Sequence, residues 1–247
     1  MERVQSFNRV LGLAVFGALA GCGGQVNTPP NEFSPPSQYQ YSGPTAGDFS
    51  NFADVVTDNT GAVLNRTLTE KVTSVAADGS YTASWADPSG ATDMSGTVDQ
   101  TFYPTVVQYN AAGQTTGTVV TPYSGVATTC LLSPHNGDAP AVLAQLQQWT
   151  LTYTQACGAS TQSVAVTGAF QDIELLQIPA GNFNAYRFAY VLTYTADGAT
   201  VNDYVNTWYN ATTTDTRLLQ QSDYFVYNGN VPQGTIVSDI KTLQNYQ

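Results

Sequence analysis

Basic residues are scarce in this chain. Seven Lys and Arg stand against eighteen Asp and Glu, a formal net charge of −11. Nucleic acid is bound through a basic footprint, and none exists here. The same deficit opposes peripheral binding to anionic lipid headgroups. Histidine is reduced to one residue, His135, so any imidazole catalysis or ligation has a single candidate. The apolar run from Val10 to Gly21 is roughly half the ~20 residues that a membrane-spanning helix needs. No Gly-rich loop followed by Lys is present to cradle phosphate, and the calcium-loop pattern D-x-[DN]-x-[DN]-G is missing. Asp58-Asn59 and Asp93-Met94-Ser95-Gly96 offer oxygens but read as turns.

What is present at the N-terminus is a targeting pattern. Arg3 and Arg9 precede the uncharged stretch VLGLAVFGALAG, a basic n-region followed by an h-region of secretory length. A buried N-terminal helix is the competing reading, but the polar, Pro- and Gly-containing residues that follow give it nothing to pack against. Leu19-Ala20-Gly21-Cys22 resembles the lipobox of bacterial lipoproteins. The resemblance covers residues 1–22. It implies diacylglycerol on the Cys22 sulfur, removal of residues 1–21 as a signal peptide, and further acylation (palmitate-type chains) of the new amine. A thiolate is the nucleophile such chemistry requires near neutral pH. One acyl chain holds a protein only marginally, whereas two or more anchor it stably. Gly23 follows Cys22 where the family's inner-membrane retention signal places Asp, which implies the outer membrane of a bacterial cell envelope. The membrane, reached through lipidated Cys22, is the one partner the sequence names.

Residues 22–44 read as the lipidated Cys followed by a tether. Five of the twelve prolines fall here, at 29, 30, 35, 36 and 44. Proline fixes φ and removes a donor, so helix and sheet propagate poorly, and extended linker geometry follows. A recognition peptide for a proline-binding module is the rival reading. With Cys22 assigned to lipid by the resemblance, Cys130 and Cys157 remain, and an oxidising periplasm would pair them. The alternative is a metal site with His135, which is one ligand short of a closed set and lacks C-x-x-C spacing.

Residues 45–247 read as a single all-β domain. Period-two alternation recurs in Tyr81-Thr82-Ala83-Ser84-Trp85, in Trp149-Thr150-Leu151-Thr152-Tyr153, and from Tyr186 to Tyr194. One oily face per strand points to antiparallel, half-buried sheet. Asp78-Gly79, Asp197-Gly198 and Asn228-Gly229 supply tight turns. Strands are predicted near 63–75, 80–86, 97–103, 105–110, 116–122, 148–156, 162–170, 184–195, 201–209, 216–227 and 234–240. The expected architecture is a strongly curved antiparallel sheet, half-barrel or barrel-like. One exception is a short helix near 139–148, where Asp138 could cap, Pro140 sits early, and Val142, Leu143 and Leu146 share a helical face.

Residues 174–209 carry "ELLQIPAGNFNAYRF" and then "NTWYN". This resembles a pattern in uncharacterised exported bacterial proteins, in which a Pro-Ala-Gly-x-Phe turn starts a strand and a Trp-Tyr pair sits on the return strand. Here those are Pro179 to Phe183 and Trp208-Tyr209. The family's Pro-Gly after Trp-Tyr is replaced by Asn210-Ala211. The resemblance implies curved antiparallel sheet and brings no activity with it.

Catalytic constellations are sparse. Ser133, His135 and Asp138 lie close in sequence but in a turn-rich loop unlike a hydrolase triad. The carboxylate pairs Asp172/Glu174 and Asp197/Asp203 could suit a glycosidase, but in so acidic a chain they read as solvated surface. The aromatics are the remaining candidate. Tyr186, Phe188, Tyr190, Leu192 and Tyr194 share one strand face. They form either core or, with Trp208, the lining of a ligand groove on the concave side. The expected function is a non-enzymatic outer-membrane lipoprotein that presents its β domain for an interaction or envelope role, with no cofactor. The alternative is a carrier of an apolar or glycan ligand on the aromatic face.

Overall fold

The computed structural model describes residues 38–86, 104–120, 127–196, 198–212, 214 and 216–247. Among these residues fourteen strands run in order: β1 (Gln38–Gln40), β2 (Phe49–Asp58), β3 (Val63–Val75), β4 (Tyr81–Ala86), β5 (Pro104–Tyr109), β6 (Thr115–Val120), β7 (Thr128–Ser133), β8 (Val142–Ala144), β9 (Gln148–Cys157), β10 (Ser160–Ile178), β11 (Gly181–Ala196), β12 (Ala199–Asn210), β13 (Leu218–Asn228) and β14 (Ile236–Tyr246). Twelve of them close into an antiparallel barrel, β10-β11-β12-β13-β14-β2-β3-β4-β5-β6-β7-β9, and β1 pairs with β8 in a separate two-stranded sheet. The expected all-β, curved antiparallel architecture is therefore a full barrel. Closure removes the sheet edges that would otherwise remain unpaired. The strand expected at 97–103 lies outside the described residues.

Alternation sets the two faces. On β11, Tyr186, Phe188 and Tyr190 point inward and are buried. Outward on β3, Asn65, Thr67, Lys71 and Thr73 are exposed, as are Val63 and Val75 at its two ends. Inward faces of β9 to β12 meet in one aromatic cluster with Trp149, Tyr153, Phe170, Tyr186 and Phe188. Gly168 is required there: it lies directly across from Trp149, and a Cβ on it would fall 2.4 Å from that ring.

The small β1–β8 sheet caps this cluster. Tyr39 and Leu143 are cross-strand partners and both are buried, while Gln38, Gln40, Val142 and Ala144 on the other face are exposed. The Tyr39 ring meets Tyr186 and Phe188 edge-on, with centroids 5.3 and 4.8 Å away. Thus the last residues of the segment read as tether are part of the folded unit. Tyr41 N donates to Ala141 O, and Ser42 N donates to Thr216 Oγ1.

The helix expected near 139–148 is not formed. In its place are β8 and a turn, with Leu146 at φ 65°. Leu146 N donates to Phe170 O and Gln147 N to Ala144 O. The Ala-, Leu- and Gln-rich sequence has good helix propensity, but of Val142, Leu143 and Leu146 only Leu143 is buried, and Leu146 is 72 % exposed. A helix would strand the β1 backbone without its partner, so tertiary pairing overrides propensity.

Among the described residues, the β10–β11 hairpin is the longest. Pro179-Ala180 forms its two-residue turn between paired Ile178 and Gly181, as the Pro-Ala-Gly-x-Phe pattern suggested. Beyond a bulge at Phe170/Asp172, the adjacent residues Ala185 and Tyr186 are both buried, one on each face. Tyr186 packs under the cap, and Ala185, on the opposite face, joins Phe52, Leu68, Leu219 and Leu243 in a second cluster that also takes in Phe183 and Trp208.

Candidate ligand-binding chamber

The barrel interior is not filled. A cavity of about 470 Å³ lies within it, bounded by side chains from most of the ring. That volume falls within the range of small-molecule sites, roughly 300–1,000 Å³. One wall is aromatic and includes Tyr41, Tyr81, Trp85, Tyr109, Tyr153, Tyr190 and Tyr209. Tyr81 and Tyr109 stack as cross-strand partners, centroids 4.4 Å apart, and the Tyr41 and Tyr81 hydroxyls bond at 2.8 Å.

The other wall carries charge, and strand register explains how. Asp223 on β13 lies directly across from Asp239 on β14, and Gln221 from Lys241. Lys241 in turn faces Asp54 on β2, which faces Arg66 on β3. Each inward side chain is thus the immediate neighbour of the next, although they come from distant parts of the chain. The Arg66 Nε donates to Asp54 Oδ2, and Lys241 Nζ donates to Asp239 Oδ2 at 2.6 Å.

Burial dominates the proton affinities of this wall. Burial first, and then the hydrogen bond that its protonated form gives to Asp239, push Asp54 up to about 7. Burial also works upward on Asp239, but Lys241 and that bond from Asp54 override it and hold this carboxyl below its ordinary value. For Lys241, burial opposes the charge, and the surrounding carboxylates Asp239, Asp223 and Asp54 outweigh it, so the ammonium is held more firmly than usual. Asp203 is pushed up to about 8 by burial and then by Asp223, and Asp223 to about 7 by burial against the pull of Lys241. Glu70 rises to about 7 by burial, despite accepting a hydrogen bond from the Tyr109 hydroxyl at 3.1 Å.

The residues singled out in the sequence are distributed unevenly around this chamber. Of the aromatic stripe, Tyr186 and Phe188 are packed core, Tyr190 and Leu192 line the cavity, and Tyr194 is half-buried beside them. Trp208 is not part of the wall. It sits on the opposite strand face, where its Nε1 donates to Glu174 Oε1 at 2.5 Å and the Arg187 guanidinium lies 5.5 Å from its ring. Tyr209, in phase with Asp203, Val205 and Thr207 on β12, is the member of the Trp-Tyr pair that points inward. Cys130 and Cys157 are cross-strand partners joined by a disulfide. Cys22 lies outside the described residues.

Ser133, His135 and Asp138 do not join into a triad. His135 Nδ1 donates to Asn136 O at 2.5 Å, and Asp138 accepts from Asn136 Nδ2 and from the Tyr190 hydroxyl. Among the described residues, no group of three His, Cys, Asp or Glu side chains is arranged to hold a metal. Asp172 is exposed and Glu174 is 38 % exposed. Asp203, read as solvated surface, is instead 8 % exposed and faces the cavity between Val201 and Val205. The signal for it was parity: an acid on the apolar phase of a strand. The same holds for Asp54 between Phe52 and Val56, and for Asp239 and Lys241 in phase with Leu243. Asp197 and Asp93 to Gly96 lie outside the described residues.

No protein-family profile matches this chain, and no curated protein matches it. Solved structures share its outline. A presumed lipoprotein of Parabacteroides distasonis is 12 % identical, with TM-score 0.46 over 85 % of this chain and 99 % of that one. A presumed exported protein with a YmcC-like fold from Bacteroides fragilis is 13 % identical, with TM-score 0.43 over the same shares. The hypothetical lipoprotein YmcC of Escherichia coli is 12 % identical, with TM-score 0.42 over 79 % and 84 %. At these identities and scores the likeness carries no function over to this chain.

Proposed function

We propose that the protein is a non-enzymatic lipoprotein of the bacterial outer membrane, held by acylated Cys22, and that its barrel is a carrier or sensor for a small ligand taken into the interior. The observation that carries the ligand-binding part is the chamber. A display module for protein contacts has no need of an unfilled, polar interior, because each missing contact and each buried carboxylate lowers stability. The aromatic wall offers flat apolar surface, and the opposite wall offers charged and hydrogen-bonding groups. That combination orients a ligand. The lipobox resemblance and Gly23 support the anchor and the outer membrane. The non-enzymatic assignment is supported by the positions of His135, Ser133 and Asp138, which no hydrogen bond joins among the described residues.

The test is native mass spectrometry of protein released from the envelope in mild detergent. Wild type should carry an added mass that dissociates on activation. Leu192→Trp and Leu132→Trp, which place an indole into the chamber from two walls, should lose that mass while still melting cooperatively. Identical masses for wild type and both variants would overturn the carrier reading.

A further inference from the structure

The charge balance of the chamber points to the class of ligand, on the reading that the interior binds one. Four inward acids, Asp54, Asp203, Asp223 and Asp239, form one run with two cations, Arg66 and Lys241. Both cations are committed, Arg66 to Asp54 and Lys241 to Asp239. Arg217, also on the cavity wall, lies with its guanidinium 4.1 Å from the Tyr246 ring centroid and faces Glu70. Asp203 and Asp223 are left without a cation of their own. Both oxygens of Asp223 are reached by the neutral Gln221 Nε2, at 3.1 and 2.8 Å. Asp203 is flanked across the sheet by Leu192 and Phe225, and no donor among the described residues reaches its Oδ1. A nine-tenths buried carboxylate aimed into a cavity with an open acceptor is costly unless something completes it.

We infer that Asp203 and Asp223 are the anionic end of a binding site for an organic ammonium cation, whose apolar body lies against the tyrosine wall. A metal ion is a poor fit to the same place, because no three ligating side chains converge there among the described residues. A neutral polyol would satisfy an acceptor but offset no charge where the pair ionises. An ammonium group neutralises both and donates as well, and a charge-assisted hydrogen bond is the stronger kind. Tyr153 and Tyr190 line the same chamber and supply ring surface of the type that attracts cations.

A proton signature follows. With the raised affinities of Asp203 and Asp223, the empty pair retains protons near neutrality, and a cation displaces them. The buried tyrosines and the Asp239–Lys241 pair that face it do not titrate in that window. Tyr190 and Tyr194 on β11 and Tyr153 on β9 adjoin Asp203, and all three are pushed above the ordinary phenol value by burial. Asp239 and Lys241 on β14 stay ionised as a pair. Asp138 faces Asp223 from the segment before β8, and burial raises it.

The experiment is calorimetric titration of the mature protein in detergent with butane-1,4-diamine, at pH 6, 7 and 8, beside maltose and calcium chloride. Proton release is read with an indicator dye in weakly buffered solution. The diamine should bind, with affinity rising on the order of tenfold between pH 6 and 8, and should release protons at pH 7. Asp203→Asn should weaken it at least about tenfold and flatten the pH dependence while leaving the melting temperature unchanged or higher, which a merely structural acid would not do. Binding of maltose in preference to the diamine, or of calcium in preference to both, would overturn the cation assignment and leave the chamber reading standing. Binding of none of the three would also overturn it, and the native mass measurement then decides the chamber reading by itself.

Discussion

Asp203 and Phe188 sit on neighbouring strands with the same inward parity, and they act on stability in opposite directions. The Phe188 ring is fully buried among Tyr39, Trp149, Phe170 and Tyr209. Asp203 brings a carboxyl into the same interior without a cation. An acid whose folded proton affinity exceeds its unfolded value stabilises the native state at low pH, where both states are protonated. That stability is lost as pH rises through the folded value. Asp203 goes from an ordinary 3.8 to about 8, and Asp54, Asp223 and Glu70 to about 7. The melting temperature should therefore fall between about pH 4 and pH 8 and level off above. Asp203→Asn should make that slope shallower, as followed by circular dichroism melts across a pH series. A melting temperature that rises steadily from pH 4 to 8 would mean that these acids are ionised and paired in the folded state.

At the scale of elements, legibility followed alternation. β4 and β9 alternate apolar with polar residues and β11 repeats large apolar side chains at every second position, and each was readable. β2 was not, because its inward face runs Ser50, Phe52, Asp54, Val56, Asp58 and so looks polar. β8 was misread as helix because three residues that pair with β1 carry no signal of a partner a hundred positions away in sequence. The stripe on β11 was readable as a face but not divided. Sequence does not reveal that the cap covers Tyr186 and Phe188 and leaves Tyr190 and Leu192 open to the cavity. Two substitutions on this strand separate its faces. Phe188→Ala removes a ring from packed core and should cost ~3–5 kcal/mol. Arg187→Ala, one position away, loses a 39 % exposed side chain and a 3.9 Å ion pair with Glu174, and should cost less than ~1 kcal/mol. Urea denaturation of the two purified variants measures both. Equal losses would contradict the assignment of the two faces.

For the whole molecule, the charged wall was the least legible feature. Its members are ordinary Asp, Lys and Arg residues until the barrel closes and register sets Asp223 beside Asp239 and Lys241 beside Asp54. Pairing between β14 and β2 joins the two ends of the domain, and nothing local encodes it. The proposed anchor has the reverse character, being read from residues 1–22 alone. Metabolic labelling with an alkyne fatty acid should mark wild type in the outer-membrane fraction and leave Cys22→Ser unlabelled as precursor, because a hydroxyl does not replace the thiolate. Equal labelling of both would remove the lipobox assignment. The central claim, that the barrel is a container, is tested most directly by crystallographic density inside protein released from the envelope in mild detergent. The account predicts a chamber of several hundred Å³ holding continuous non-protein density in contact with the Asp203 carboxylate. An interior closed by repacked tyrosines, with Asp203 paired to a protein donor and no room left, would contradict it.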